Sequence, residues 1–258
     1  SLLYTDFPVH ESGFCDFHVR VDRVSGFRRY VQPQITFRLD GTEPFKPLPA
    51  NHAFASLEWG LNWCIAGHAH HYLMLHAAVL ERNGRAVILP GDPGAGKSTL
   101  TAALSLSGFR LLSDELALID RDDGHLVPLA RPVSLKNRSI EIVRDFSTKA
   151  VVGDAARDTH KGTVAHLKPT ADSVARMHEK ALPGAIVFPR WKANAEACLR
   201  PRPKADTFMH AANHAFNYSV LGRLGYDLNA NLVEACACHD FEYGDLADAV
   251  RVFEALLP

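Results

Sequence analysis

The sequence has no long hydrophobic run and no excess of charge of either sign. No apolar segment approaches the roughly 20 residues that cross a bilayer, and no basic segment followed by an apolar one opens the chain, so we expect neither a membrane span nor a secretory signal. The 28 Lys and Arg residues nearly balance 29 Asp and Glu. Without a basic excess, nucleic acid is not an expected partner.

Cysteine is also scarce, and its pattern is irregular. The chain has five cysteines, an odd number without the spacing of a disulfide framework, which favours reduced thiols and a cytoplasmic location. Two short segments resemble halves of a metal site, residues 68–71 (His-Ala-His-His) and 236–239 (Cys-Ala-Cys-His). Each lacks a second half at standard spacing, so core or surface positions are expected rather than zinc.

The apolar fraction of 47% in 258 residues supports one main domain with a small appendage. Residues 14–24 and 30–39 alternate apolar and polar side chains as half-buried strands do, and three prolines between 44 and 49 form a stiff connector. We therefore predict a small β-rich accessory or substrate-recognition unit over residues 1–50 and the main domain over residues 51–258.

The main domain opens with a helical pattern over residues 51–71. Trp59 and Trp63 lie four apart and share a face of this helix, where they either pack on the core or help to shape an adenine slot. Further predictions are strands at 72–80, 85–89, 184–189 and 232–239, a hairpin of 116–120 with 125–129, a loop over 151–162, and helices at 99–107, 138–145, 207–218, 219–224 and 246–257.

The most informative stretch matches the pattern G-x-x-x-x-G-K-[ST] between a predicted strand and a predicted helix. In that context the pattern is typical of a phosphate cradle, in which glycines allow close approach and backbone N–H groups point at the phosphates. The alternative is an ordinary glycine-rich turn. The predicted nucleotide-binding residues are Gly91, Asp92, Pro93, Gly94, Ala95, Gly96, Lys97, Ser98 and Thr99.

An acidic pair, Asp114 and Glu115, follows Lys97 by only 17 residues. We expect Asp114 at the carboxyl end of the neighbouring strand, which in an open α/β sheet faces the ligand crevice. Adjacent strand residues point to opposite faces, so the two carboxylates should differ in role: one takes a proton from an acceptor hydroxyl and the other holds Mg²⁺. The alternative is a solvated acidic turn. A GTPase is not indicated, because the chain has no Asn-Lys-x-Asp segment.

Together His76, residues 91–98 and residues 108–115 (Gly-Phe-Arg-Leu-Leu-Ser-Asp-Glu) resemble the core of HPr kinase/phosphorylase and of related kinases, including those that phosphorylate peptide precursors. The resemblance implies an α/β fold with a P-loop kinase core of the HPr kinase type. It also implies that Asp114 is the base and that His76 lies near the transferring phosphate. Residues 161–169 resemble another segment of these kinases and make Lys161 and Lys168 candidate phosphate or substrate contacts.

The leading hypothesis is an ATP- and Mg²⁺-dependent kinase that acts on a hydroxyl, serine being the expected one, of a peptide, a protein or a small molecule. Lys97 neutralises the developing charge, Ser98 and Glu115 position Mg²⁺, and Asp114 activates the acceptor hydroxyl. His76 either stabilises the transferring group or orients Asp114. The alternative is a nucleotide-gated binding module without transfer, in which Asp114 would be dispensable. The sequence leaves the oligomeric state and the identity of the acceptor open.

Overall fold

The computed structural model describes residues 2–92 and 94–257, without the side chains of residues 28 and 29. Its strands are β1 Val19–Arg23, β2 Gln34–Leu39, β3 Leu48–Pro49, β4 Tyr72–Arg82, β5 Arg85–Pro90, β6 Arg110–Ser113, β7 Leu116–Asp120, β8 Leu126–Val127, β9 Val133–Lys136, β10 Ala156–Thr159, β11 Gly162–Leu167, β12 Leu182–Trp191, β13 Cys198–Pro201 and β14 Ala237–Tyr243. Its helices are α1 Ala53–His68, α2 Lys97–Leu106, α3 Arg138–Phe146, α4 Ala171–Ala175, α5 Lys204–Asn213, α6 Tyr218–Leu221, α7 Arg223–Ala235 and α8 Leu246–Leu256.

A mixed eight-stranded sheet is the centre of this α/β fold. Its order is β13-β14-β12-β5-β4-β7-β8, and β6 also pairs with β4. Strand β4 runs antiparallel to β5, β6 and β7, whereas β12 is parallel to β5 and to β14. Strands β5, β6, β12 and β14 therefore all end at the same edge of the sheet. Asp114 follows β6 at this edge, although β4 lies between β6 and β5, so β6 is not the immediate neighbour that the sequence led us to expect.

Helices cover both faces of the sheet, as the continuous apolar character of its inner strands requires. On one face α2 and α8 contribute apolar residues such as Leu100, Leu104 and Phe253. On the other face α5 and α7 contribute Ala211 and Leu228. The sheet edge between these layers is left free for the site.

The N-terminal strands form a separate three-stranded sheet in the order β1-β2-β3. Its apolar side, with Phe37 and Leu39, packs on Cys64 of α1. A Cβ at Gly60 of α1 would lie 2.1 Å from the Phe37 ring, so this close contact requires glycine. The first strand is shorter than the predicted 14–24, and the helix begins at Ala53 rather than at 51.

Two predicted elements are wrong. Residues 151–162, expected as a loop, contain β10, which pairs with β11 in a small sheet with β9. Residues 232–239 are predicted as a strand, but residues 232–235 belong to α7, and the strand begins only at Ala237. Leu232 and Val233 are buried against the sheet together with Leu228, so the apolar run is the inner side of a helix.

The ion pair of Glu81 and Arg110 ties β4 to β6 in the interior. The Arg110 Nε atom lies 2.5 Å from Glu81 Oε2, and both side chains are 2% exposed. Burial alone would raise the pKa of Glu81, but the hydrogen bonds from Arg110 and the Gly84 amide lower it below its usual value.

We expect Arg110→Met to lower the free energy of unfolding by about 3–5 kcal/mol. The variant removes the nearer guanidinium from the buried Glu81 carboxylate, which among the described residues keeps only Arg176 at 3.5 Å and the Gly84 amide. The measurement is urea unfolding at neutral pH. The double variant Arg110→Met with Glu81→Gln removes both charges and should recover part of the loss. A single variant as stable as the wild type would contradict the argument.

No helix in the described part of the chain is both long and apolar enough to span a bilayer.

Candidate functional site

The glycine-rich loop joins the buried strand β5 to helix α2 at the free edge of the sheet. Gly94 and Gly96 have positive φ angles of 92° and 90°. Gly96 is also fixed by its neighbours, since Tyr243 Oη donates a hydrogen bond of 3.1 Å to its carbonyl oxygen. The adjacent Ala95 carbonyl accepts a bond of 3.0 Å from the Trp191 amide. Strands β12 and β14 therefore hold the loop in place.

At the first glycine of the motif, Gly91, neither the backbone conformation nor the neighbouring protein atoms require a glycine. Gly91 has no positive φ, and a Cβ there would meet Ala95 at an ordinary contact distance of 3.6 Å. Nothing among the described protein atoms therefore obstructs a Cβ at Gly91, and its close approach to bound phosphates stays a prediction. Pro93, the remaining predicted loop residue, lies outside the described residues.

We expect Gly96→Ala to disrupt the loop more than Gly94→Ala does. Both variants place a side chain in left-handed backbone, at a cost of about 1–2 kcal/mol. Only at Gly96 would the new Cβ also clash, at 2.5 Å from Tyr243 Oη. Binding of inorganic tripolyphosphate, measured by calorimetry, should fall at least tenfold further in Gly96→Ala. Equal losses in the two variants would rule out the Tyr243 contact as the cause.

The loop, the start of α2 and the end of β9 enclose a cavity of about 510 Å³. Lys97 extends into this region with 8% exposure, and its Nζ atom has no hydrogen-bond partner among the described residues. Lys136 and Lys161 also line the cavity, and no ion pair is seen for either in the described chain. An unpaired buried ammonium is costly. Three cationic side chains around one cavity therefore favour a multiply charged anion.

The acidic pair lies in the bend between β6 and β7 rather than on a strand. Asp114 is 5% exposed, and its Oδ2 atom accepts bonds from Ser98 Oγ at 3.4 Å and from the Ser134 amide at 3.0 Å. Its Oδ1 atom is buried without a partner among the described residues. Burial, with the nearby Glu115 charge, raises the pKa of Asp114 to about 6.

Glu115 lines the cavity that contains Lys97 and also borders a second, smaller cavity that it shares with Asp114. Its Oε2 atom lies 3.1 Å from His76 Nε2. Burial would raise the pKa of Glu115, but the hydrogen bond from His76 and the positive charge of Lys97 outweigh it and lower that pKa well below its usual value. Asp114 borders the smaller cavity, of about 20 Å³, next to Arg131 and His166, which has room for about one water molecule. Unlike Glu115, it is not among the described residues that line the cavity of Lys97.

A group of histidines continues from His76 along the rim. The His76 amide donates to the His214 carbonyl oxygen at 2.9 Å, and His214 Nε2 lies 3.2 Å from Asp92 Oδ1. His210 stacks on His214 with ring centroids 4.2 Å apart. Sequence reasoning missed His214, because 122 residues separate it from Asp92 and no local pattern marks it.

The two lysines of the segment 161–169 have different surroundings. Lys161 lines the cavity and its Nζ atom lies 5.6 Å from the centre of the Trp59 ring. Lys168 is bound to Asp6 at 2.9 Å and to Thr5 at 2.7 Å instead. Lys136, which the sequence did not single out, lines the cavity at the end of β9. Only one of the two expected lysines thus lies at the site.

Two larger cavities adjoin the loop on either side. One, of about 680 Å³, lies beyond Asp92 and is lined by charged residues that include Arg190, Arg200 and Asp240. The other, of about 600 Å³, lies beyond Thr99 and is lined by Trp191 and Phe146 among others. The cavity that contains Lys97 therefore has a charged cavity on one side and an aromatic cavity on the other.

Fold and site together define an α/β protein with a glycine loop, an unpaired lysine and two carboxylates at one sheet edge. No family model matches the chain, and no curated protein matches it. Among solved structures, the HPr(Ser) kinase/phosphatase from Coxiella burnetii aligns with 11% identity over 71% of this chain and 96% of that chain, with a TM-score of 0.29. An alignment with so low a TM-score does not establish a shared fold.

Proposed function

We propose that the protein is a kinase that transfers the γ-phosphate of ATP to a hydroxyl, with a serine of a peptide, a protein or a small molecule as the expected acceptor. The observation behind this proposal is the buried ammonium of Lys97, which has no hydrogen-bond partner in the described part of the chain and lies in a cavity that Glu115 and His76 also line. Phosphoryl transfer needs charge neutralisation and alignment more than covalent chemistry. A cationic cavity with one carboxylate on its wall supplies both.

The donor atoms beside Lys97 fit a magnesium ion. Mg²⁺ takes oxygen ligands, keeps several waters and is held by one or two protein groups together with phosphates. Ser98 Oγ and the unpartnered Oδ1 of Asp114 are such atoms, and Oδ2 of Asp114 already lies 3.4 Å from Ser98 Oγ. When bound, the ion would neutralise phosphate charge. We therefore favour Ser98 and Asp114 for the metal, where the sequence suggested Ser98 and Glu115.

The same geometry favours Glu115 as the carboxylate that faces the acceptor, where the sequence suggested Asp114. Glu115 lines the cavity and is oriented by His76, whereas Asp114 is held against Ser98 and Ser134. With its lowered pKa, Glu115 is ionised at neutral pH and can accept a hydrogen bond from a hydroxyl. In a loose transition state this carboxylate mainly orients the nucleophile and takes the proton late.

The competing function is a nucleotide-gated binding module, which needs the cationic cavity but no group for an acceptor. The experiment incubates the protein with Mg²⁺, γ-labelled ATP and three acceptor sets: free serine, serine-containing peptides and the protein itself. The kinase predicts label in at least one set, and it predicts that Lys97→Ala abolishes this label. ATP binding without label in any set would favour the module. Absence of ATP binding would contradict both functions.

A further inference from the structure

We propose that the aromatic cavity beyond Thr99 is the nucleobase site and that the base stacks on Trp191. This inference rests on the proposed function, because it assigns the nucleoside half of the same ligand. The sequence offered Trp59 and Trp63 for an adenine slot. Neither lines this cavity: Trp59 contacts His160 and Trp63 contacts Phe45.

The aromatic cavity adjoins the cavity that contains Lys97. Gly94, Gly96, Thr99 and Ser139 line both of them. A nucleotide whose phosphates lie in the loop would therefore have its base beside the first turn of α2. Its volume of about 600 Å³ falls within the roughly 300–1,000 Å³ of small-molecule sites.

Trp191 is the residue on the wall of the aromatic cavity that best indicates which kind of ligand binds there. It is 52% exposed at the end of β12, and its Nε1 donates to the Gly244 carbonyl oxygen at 3.3 Å, which fixes the indole plane. Each of the other two tryptophans contacts an aromatic or cationic side chain. For Trp191 the described residues supply no such neighbour. An exposed, oriented indole ring suits a flat ligand that stacks on it.

The charged cavity on the other side of the loop suits a base less well. Trp191, Phe188 and Phe241 border this cavity as well, but its walls also carry Arg190, Arg200 and Arg202 with Asp240 and Glu242. It adjoins Asp92, whose partner His214 is bonded to the main chain of His76. That is the end where the transferring phosphate and the acceptor would meet. The aromatic cavity also has charged residues, Arg138, Asp145 and Asp245, at its walls, but Ile142, Phe146 and Leu246 beside Trp191 offer apolar surface for the faces of a base.

The test separates the base from the phosphates by using two probes, ATP and inorganic tripolyphosphate, with calorimetric Kd values for each. Trp191→Ala keeps the main-chain bond to Ala95 and should weaken ATP binding about tenfold or more, a typical effect of losing one base–aromatic stack. Tripolyphosphate binding should be unchanged. Trp191→Phe should retain most of the ATP affinity. Trp63→Ala, a tryptophan 41% exposed outside the cavity, is the matched control and should change neither Kd.

Each of the other outcomes contradicts either the base site or the proposed function. If Trp191→Ala weakens both probes equally, the residue only supports the loop, and the inference is wrong. If neither Kd changes, or if wild-type protein binds tripolyphosphate as tightly as ATP, the base does not bind at Trp191, although the loop still binds the phosphates. If wild-type protein binds neither ATP nor tripolyphosphate, the proposed function itself is contradicted, and not only the base site. Thermal melting of each variant shows whether it is folded.

Discussion

Lys97→Ala is expected to reduce phosphate transfer at least about 10³-fold, the scale seen when a cation on a transferring phosphoryl group is removed. The same variant should change the free energy of unfolding little. Lys97 is 8% exposed and its ammonium has no hydrogen-bond partner among the described residues, so its removal breaks no hydrogen bond and removes a buried charge. This gain is offset because the Asp114 and Glu115 carboxylates lose the positive charge beside them. The measurements are the transfer rate and urea unfolding without nucleotide.

Lys168→Ala is the matched control for this variant. Lys168 is bound to Asp6 and Thr5 away from the cavity, so its loss should leave transfer unchanged and cost about 1 kcal/mol or less. A second readout is the rise in melting temperature with tripolyphosphate, which Lys97→Ala should lose and Lys168→Ala should keep. Full transfer by Lys97→Ala would remove the central residue of the proposal.

The loop and its flanking elements could be predicted because the information is local. A buried strand, positive-φ glycines and a helix start occupy fewer than 25 consecutive residues, and β5 and α2 are where the pattern puts them. The roles expected for Asp114 and Glu115 depended on a strand that continues through both. The chain bends there instead, because β6 and β7 pair with different stretches of β4.

The rest of the site depends on contacts between distant segments. Lys136 and Trp191 come to the loop only because β9 and β12 end beside it, and neither has a local motif. The residues 156–159, Ala-Arg-Asp-Thr, form a strand although three of the four are polar. Pairing with β11 decides their conformation, and this pairing also places Lys161 on the cavity. Such placements follow from the assembled sheets and not from periodicity.

Substitution of Glu115 should also have a large effect on transfer and should distinguish the roles of the two carboxylates. We expect Glu115→Gln to lower the transfer rate by about 10²–10⁴-fold, the range for a group that takes a proton in the transition state. ATP affinity should change little, because Lys97 and the loop still hold the phosphates. The measurement is single-turnover transfer beside a calorimetric Kd for ATP. Loss of affinity without loss of rate would contradict the acceptor role of Glu115.

Asp114→Asn is the isosteric counterpart on the other carboxylate, and its expected defect is different. Asparagine keeps the bond from the Ser134 amide but removes the charge beside Ser98, so the Mg²⁺ concentration for half-maximal ATP binding should rise at least tenfold. Tripolyphosphate binding without Mg²⁺ should stay the same. If Asp114→Asn instead abolished transfer with unchanged Mg²⁺ dependence, while Glu115→Gln remained active, the base would be Asp114. The roles that the sequence suggested for Asp114 and Glu115 would then replace those that the geometry favours, because the two variants differ only in which of the two carboxylates loses its charge.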